Sequence, residues 1–151
     1  MSKIDLLYQI ARLARPLHRQ VDAAVATMLS NTSITIRMRA VLEALNDLGP
    51  STVPGIARHL VTKRQYVQVM MNEVEHAHLV SREPNPAHKR SVLFKLSSAG
   101  KEVISGIRRA ELTVLESLAR DLTFDEIEKA HHVSEHLLEG YRRLNRELAK
   151  G

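Results

Sequence analysis

Apolar residues near the start of the chain recur at alternating steps of three and four, at Leu7, Ile10, Ala14, Leu17, Val21, Ala24 and Met28. That is the spacing of a helix face that packs along another helix. Pro16 falls inside this run and should kink the helix or remove one of its hydrogen bonds. Helical spacing returns at Met38, Val41, Leu42 and Leu45 and stops at Gly49-Pro50, a C-terminal stop signal. A short element follows, with Ser51 or Thr52 as its cap, Pro54 in its first turn, and Ile56, Ala57 and Leu60 as its apolar side.

Thr62-Lys63-Arg64-Gln65 has the form of a capping box, a hydroxyl and an amide three residues apart that satisfy orphan amides at a helix start. The helix it opens buries Val67, Met70 or Met71, and Val74, and presents Lys63, Arg64, Gln65, Gln68 and Asn72 outward. Leu60-Val61-Thr62-Lys63 leaves room only for a tight turn, so the two helices form a helix-turn-helix. After His78 the period becomes two. Leu79-Val80-Ser81-Arg82 and Val92-Leu93-Phe94-Lys95-Leu96 read as strands, joined by a proline-stiffened tip that ends in Lys89 and Arg90.

Ser97 then caps a helix through Gly100, Val103, Ile104, Ile107, Leu115 and Leu118. Thr123-Phe124-Asp125-Glu126 forms a second capping box, opening a last helix with Ile127, Ala130, Leu137, Tyr141, Leu144 and Leu148 on one side. The expected fold is mainly α with a small β-hairpin wing. A winged helix-turn-helix domain over 34–101 is flanked by a helix over 1–33 and helices over 102–151 that serve dimerisation. Three long helices exceed what a winged domain of about 70 residues needs for its own core, and the surplus apolar face points to a partner chain.

With 151 residues, 44% hydrophobic and 26% charged, the chain has an ordinary globular composition. The absence of cysteine excludes disulfide scaffolds and thiolate zinc sites, and 3% aromatics leave little for base stacking on a sheet. No apolar run suits a membrane span or a secretory signal, so a cytoplasmic protein without membrane partners is expected. The excess charge of +5 sits in the middle. From Ile34 to Lys101 ten basic residues face five acidic ones, whereas the two flanks cancel. A basic module between neutral ends fits a polyanion partner.

Ile56-Ala57-Arg58-His59-Leu60, Thr62 to Val74, Leu79-Val80-Ser81-Arg82, Lys89-Arg90-Ser91 and Leu96-Ser97-Ser98-Ala99-Gly100 together resemble the multiple antibiotic resistance regulator (MarR) family in order and spacing. The resemblance is good over 34–105 and extends to the flanking helices in length and pattern. It implies a winged helix-turn-helix repressor or activator that acts as a homodimer with interleaved terminal helices, and that responds in many relatives to small aromatic or phenolic compounds. Three positions depart from the family pattern. His78 stands for the usual Gly before the hairpin, where a left-handed backbone is expected. Val61 stands where small residues are common. His88 replaces the Asp that would pair with Arg90 and hold the wing.

The expected partner is an inverted-repeat duplex operator. Arg64, Gln65 and Gln68 are the expected base readers, since Arg pairs bidentately with guanine and Gln with adenine. Asn72 shares their face, and Tyr66 offers a hydroxyl to a phosphate or packs beneath the wing. Lys63, Lys89 and Arg90 suit phosphate or minor-groove contacts, with an ion pair to Glu83 as the rival role for Arg90. Arg15, His18 and Arg39 are candidates to hold an anionic effector. No cofactor, metal site or catalysis is expected, although His132-Val133-Ser134-Glu135-His136 has the H-x-x-E-H form of inverted zinc peptidases. The other reading of the wing domain is a protein-interaction module without DNA affinity.

Overall fold

The computed structural model describes residues 1–149. Its elements run α1 (Lys3–Leu29), α2 (Ile36–Leu48), α3 (Val53–His59), α4 (Arg64–His76), β1 (Val80–Pro84), β2 (Val92–Leu96), α5 (Ser98–Leu118), a short 3-10 turn (Ala119–Asp121) and α6 (Phe124–Leu148). This is the expected class, mainly helical with one antiparallel hairpin. Among the described residues no helix is long and apolar enough to cross a membrane.

The chain forms two compact units. One comprises Gln20–Glu111, the other Met1–Arg19 together with the chain from Leu112 onward. In the first, Met38, Val41, Leu42, Ala44 and Leu45 of α2, Ile56 and Ala57 of α3, and Val67, Met71 and Val74 of α4 form one buried cluster with Leu79, Val80, Phe94, Leu96 and Ile104. Met71, not Met70, is the fully buried methionine. β1 and β2 pair from Val80 opposite Leu96 to Pro84 opposite Val92. Ser51 adds a third edge, exchanging both backbone hydrogen bonds with Phe94 at 2.8 and 2.9 Å.

Local chemistry sets the element boundaries. Thr35, Thr52 and Thr123 cap α2, α3 and α6, and Thr123 with Glu126 completes the expected capping box. The box expected at Thr62 does not form. The Thr62 amide is taken by the Ala57 carbonyl at 3.0 Å, so α4 begins one residue later, with Lys63 as an N-cap that supplies no side-chain bond. Pro16 lies inside an uninterrupted α1, where its ring nitrogen has no hydrogen to donate. Ser97 performs two tasks, its hydroxyl accepting from the Gly100 amide at 3.0 Å and donating to the His78 carbonyl at 2.8 Å.

Among the described residues two side chains sit in the left-handed region, Val61 at φ 51 and His78 at φ 57. His78 is where that conformation was expected despite the missing glycine. In the second unit no described residue is buried, and Leu13, Leu17, Leu118, Phe124, Leu138, Tyr141 and Leu148 are each more than half exposed. The α1 residues buried within the chain are Val25 and Leu29 rather than their neighbours Val21, Ala24 and Met28 on the expected seam.

Gly100 touches the hairpin so closely that a Cβ there would stand 2.0 Å from the Leu79 carbonyl oxygen. Gly100→Ala should therefore destabilise the chain by at least the upper end of the roughly 1–3 kcal/mol typical of overpacking. Val61→Gly should act oppositely. A left-handed conformation costs a side chain about 1–2 kcal/mol, and Val61, 84% exposed, has little packing to lose. Urea denaturation of the two variants checks both signs.

Candidate nucleic-acid interface

One helix supplies both core and surface. Val67, Met71 and Val74 have no exposed area and fix α4 against α2 and α3. That phase leaves Lys63, Arg64, Gln65, Tyr66, Gln68, Val69 and Asn72 exposed. The expected readers thus share one helical surface. Gln68 donates from Nε2 to Asn72 Oδ1 at 3.1 Å, which orients both amides. Because Lys63 gives no side-chain cap, the Arg64 and Gln65 amides of the first turn remain available to an anion, while the Tyr66 amide is taken by the Lys63 carbonyl at 3.1 Å.

The wing is held without the missing aspartate. Asn85 donates from Nδ2 to Ser91 Oγ at 2.6 Å and accepts from the Ala87 amide at 3.0 Å. Ser91 in turn bonds the His88 carbonyl through its amide at 2.9 Å and its hydroxyl at 3.1 Å. His88, Lys89 and Arg90 are left exposed at the tip. The ion pair considered between Arg90 and Glu83 is not formed. Glu83 pairs with Lys95 at 2.7 Å, the diagonal cross-strand neighbour on the same face of the hairpin. Among the described residues Lys63, Arg64, Lys89 and Arg90 enter no ion pair, so their charge is free for an outside anion.

Arg82 joins helix to wing. Its guanidinium donates two hydrogen bonds to the Glu75 carboxylate, at 2.5 and 2.6 Å, and lies 5.4 Å from the centroid of the Phe94 ring. The planar fork matches a carboxylate in a way a lysine could not. Sequence reasoning missed this clamp, because Glu75 and Arg82 become neighbours only through the bend at His78. It also passed over Val69 and Arg58, both exposed.

The other candidates are dispersed. Arg39 is mostly buried and already engaged, with Glu111 at 2.6 Å and Glu43 at 3.3 Å, so an anion there would compete with two carboxylates. Arg15 is exposed, and His18 lines an apolar groove with Ile10, Leu13, Leu17, Leu137 and Tyr141. A cavity of about 570 Å³ lies instead among Met28, Ile34, Leu79, Val103, Ile107 and Ala110. On α6, His131 approaches Glu135 at 3.5 Å, and among the described residues no three metal-ligating side chains converge.

No family model and no curated protein sequence matches the chain. Solved structures do. A crystal structure of a MarR family transcription regulator is 32% identical, with 96% of each chain covered and a TM-score of 0.83. A mutant MarR from E. coli complexed with operator DNA is 22% identical over 91% of this chain and 99% of its own, with a TM-score of 0.73. BpsR of Bordetella bronchiseptica, whose DNA binding is regulated by 6-hydroxynicotinic acid, is 18% identical over 85% of this chain and 98% of its own, with a TM-score of 0.70.

The hydrogen bonds from Arg82, followed by its charge, hold the Glu75 carboxyl below the ordinary glutamate value of 4.5. A depressed folded-state pKa stabilises the fold fully above 4.5, and that contribution fades as pH falls through the folded value. Thermal melts of wild type and Glu75→Gln should differ by a constant amount near neutrality and converge on acidification below 4.5.

Proposed function

Since the chain belongs to the MarR family of DNA-binding transcription regulators, we propose that it acts in the cytoplasm as a homodimeric, ligand-responsive repressor on an inverted-repeat operator. The observation that carries this reading is the division of α4 into a fully buried apolar side and an exposed side with Arg64, Gln65, Gln68 and Asn72. These four read base edges in the major groove, Arg64 suited to guanine and the amides to adenine. Tyr66 contacts a phosphate through its hydroxyl, a role that its 59% exposure supports. Lys63, Lys89 and Arg90 position the protein on the backbone or in the minor groove, because their charge is unpaired among the described residues.

The exposed leucines and aromatics of the terminal helices support the dimer. A contiguous apolar face of this kind is rarely left to water, and a closed twofold assembly is the commonest way to cover it. The 570 Å³ cavity supports a small aromatic effector, being of ligand size and lined mainly by aliphatic side chains. Such a ligand weakens operator binding by as much as it prefers the dimer with its reading helices wrongly spaced.

Light scattering should give twice the 17.0 kDa chain mass at micromolar concentration. A stable monomer that binds a palindrome tightly would remove the architecture. In competition binding, Arg64→Ala or Gln68→Ala should cost roughly 1–3 kcal/mol on the operator and little on random duplex. Lys89→Ala should weaken both alike and lower the salt slope by about one unit per protomer. If Arg64→Ala weakens both duplexes equally while Lys89→Ala changes base preference, the two roles are reversed. Failure to shift any duplex at low salt would favour a protein-interaction module.

A further inference from the structure

Val69 sits at the centre of the exposed α4 surface and is 51% exposed. Gln65 lies four residues before it, Gln68 immediately before and Asn72 three residues after, all exposed. Residues three or four apart on a helix are surface neighbours, so Gln65 and Asn72 flank Val69, and Gln68 joins the patch through its hydrogen bond to Asn72. A groove that receives Gln65, Gln68 and Asn72 therefore receives Val69 as well. Its two methyl groups can neither donate nor accept a hydrogen bond. Set against the N7, O6, N6, O4 or N4 edge atoms, they would strip water from polar groups and return nothing.

The major-groove edge of unmodified DNA carries one apolar group, the 5-methyl of thymine. We propose that Val69 is a specificity-determining residue that packs on a thymine methyl, in a base step whose adenine is read by the neighbouring amide pair. The inference rests on the reading that α4 enters the major groove. The hydrogen bond between Gln68 and Asn72 adds to it. Gln68 keeps its carbonyl oxygen and its second amide hydrogen free, the pair that adenine N6 and N7 require. Every A·T pair read in that way presents a thymine methyl on its other strand.

The test uses the full chain. A duplex is first recovered by selection from a random library. Thymine is then replaced by uracil throughout and at single symmetric positions, which deletes the methyl and leaves every hydrogen-bonding atom in place. Wild type should lose about fourfold in affinity for each contacted methyl, the worth of one buried methylene-sized group. Val69→Ala, which retains a good helix former at an exposed site, should bind the uracil duplex as wild type does. It should discriminate thymine from uracil less than twofold and keep its affinity for random duplex.

Two results overturn the proposal alone, a tight selected duplex on which uracil costs nothing at any position, and discrimination that Val69→Ala leaves unchanged. Recovery of no preferred duplex overturns the major-groove reading and this inference with it.

Discussion

The wing domain depends on one requirement, that α4 be held rigidly by its inner side while its outer side stays polar and open. Val67, Met71 and Val74 meet it by having no exposed area against α2 and α3. Three buried aliphatic side chains are worth about 1.5–3 kcal/mol each in area removed from water, more than any surface contact α4 makes. A helix so fixed in rotation has no freedom over which residues face outward, and Arg64, Gln65, Gln68 and Asn72 are consequences of that phase. The Arg82–Glu75 clamp carries the same order into the hairpin, tying β1 to the last turn of α4.

The elements that were legible in advance are those whose cause is local. Periodicity located α2, α4 and α6 because 3.6-residue spacing needs no tertiary context. Thr123 with Glu126 formed its capping box because both partners lie within one turn. The left-handed turn at His78 was expected from the resemblance alone, whose pattern has glycine there, and the histidine adopts it.

What was misread depends on partners distant in sequence or on competition for one group. Thr62 has the form of a cap, yet its amide is drawn to the Ala57 carbonyl and the helix starts a residue later. Glu83 was a plausible partner for Arg90 by proximity, but strand register hands it to Lys95. Arg39 was a candidate to hold an anion, but α5 brings Glu111 to within 2.6 Å of it. The wing carries His88 where the resemblance implied an aspartate and is closed instead by Asn85 and Ser91, a pair six residues apart. Val69 is apolar yet stands outside the core, because its helical phase is opposite to that of Val67 and Met71.

Hydroxyl-radical footprinting of the full chain, free and bound to a selected duplex, tests most directly whether the outer side of α4 and the wing tip together meet DNA. Protection should fall on Tyr66 and Val69 of α4 and on His88 of the wing, with Phe124 and Tyr141 of α6 labelled equally in both states. Protection confined to α6, with Tyr66 and His88 as reactive in the complex as in the free protein, would contradict the account.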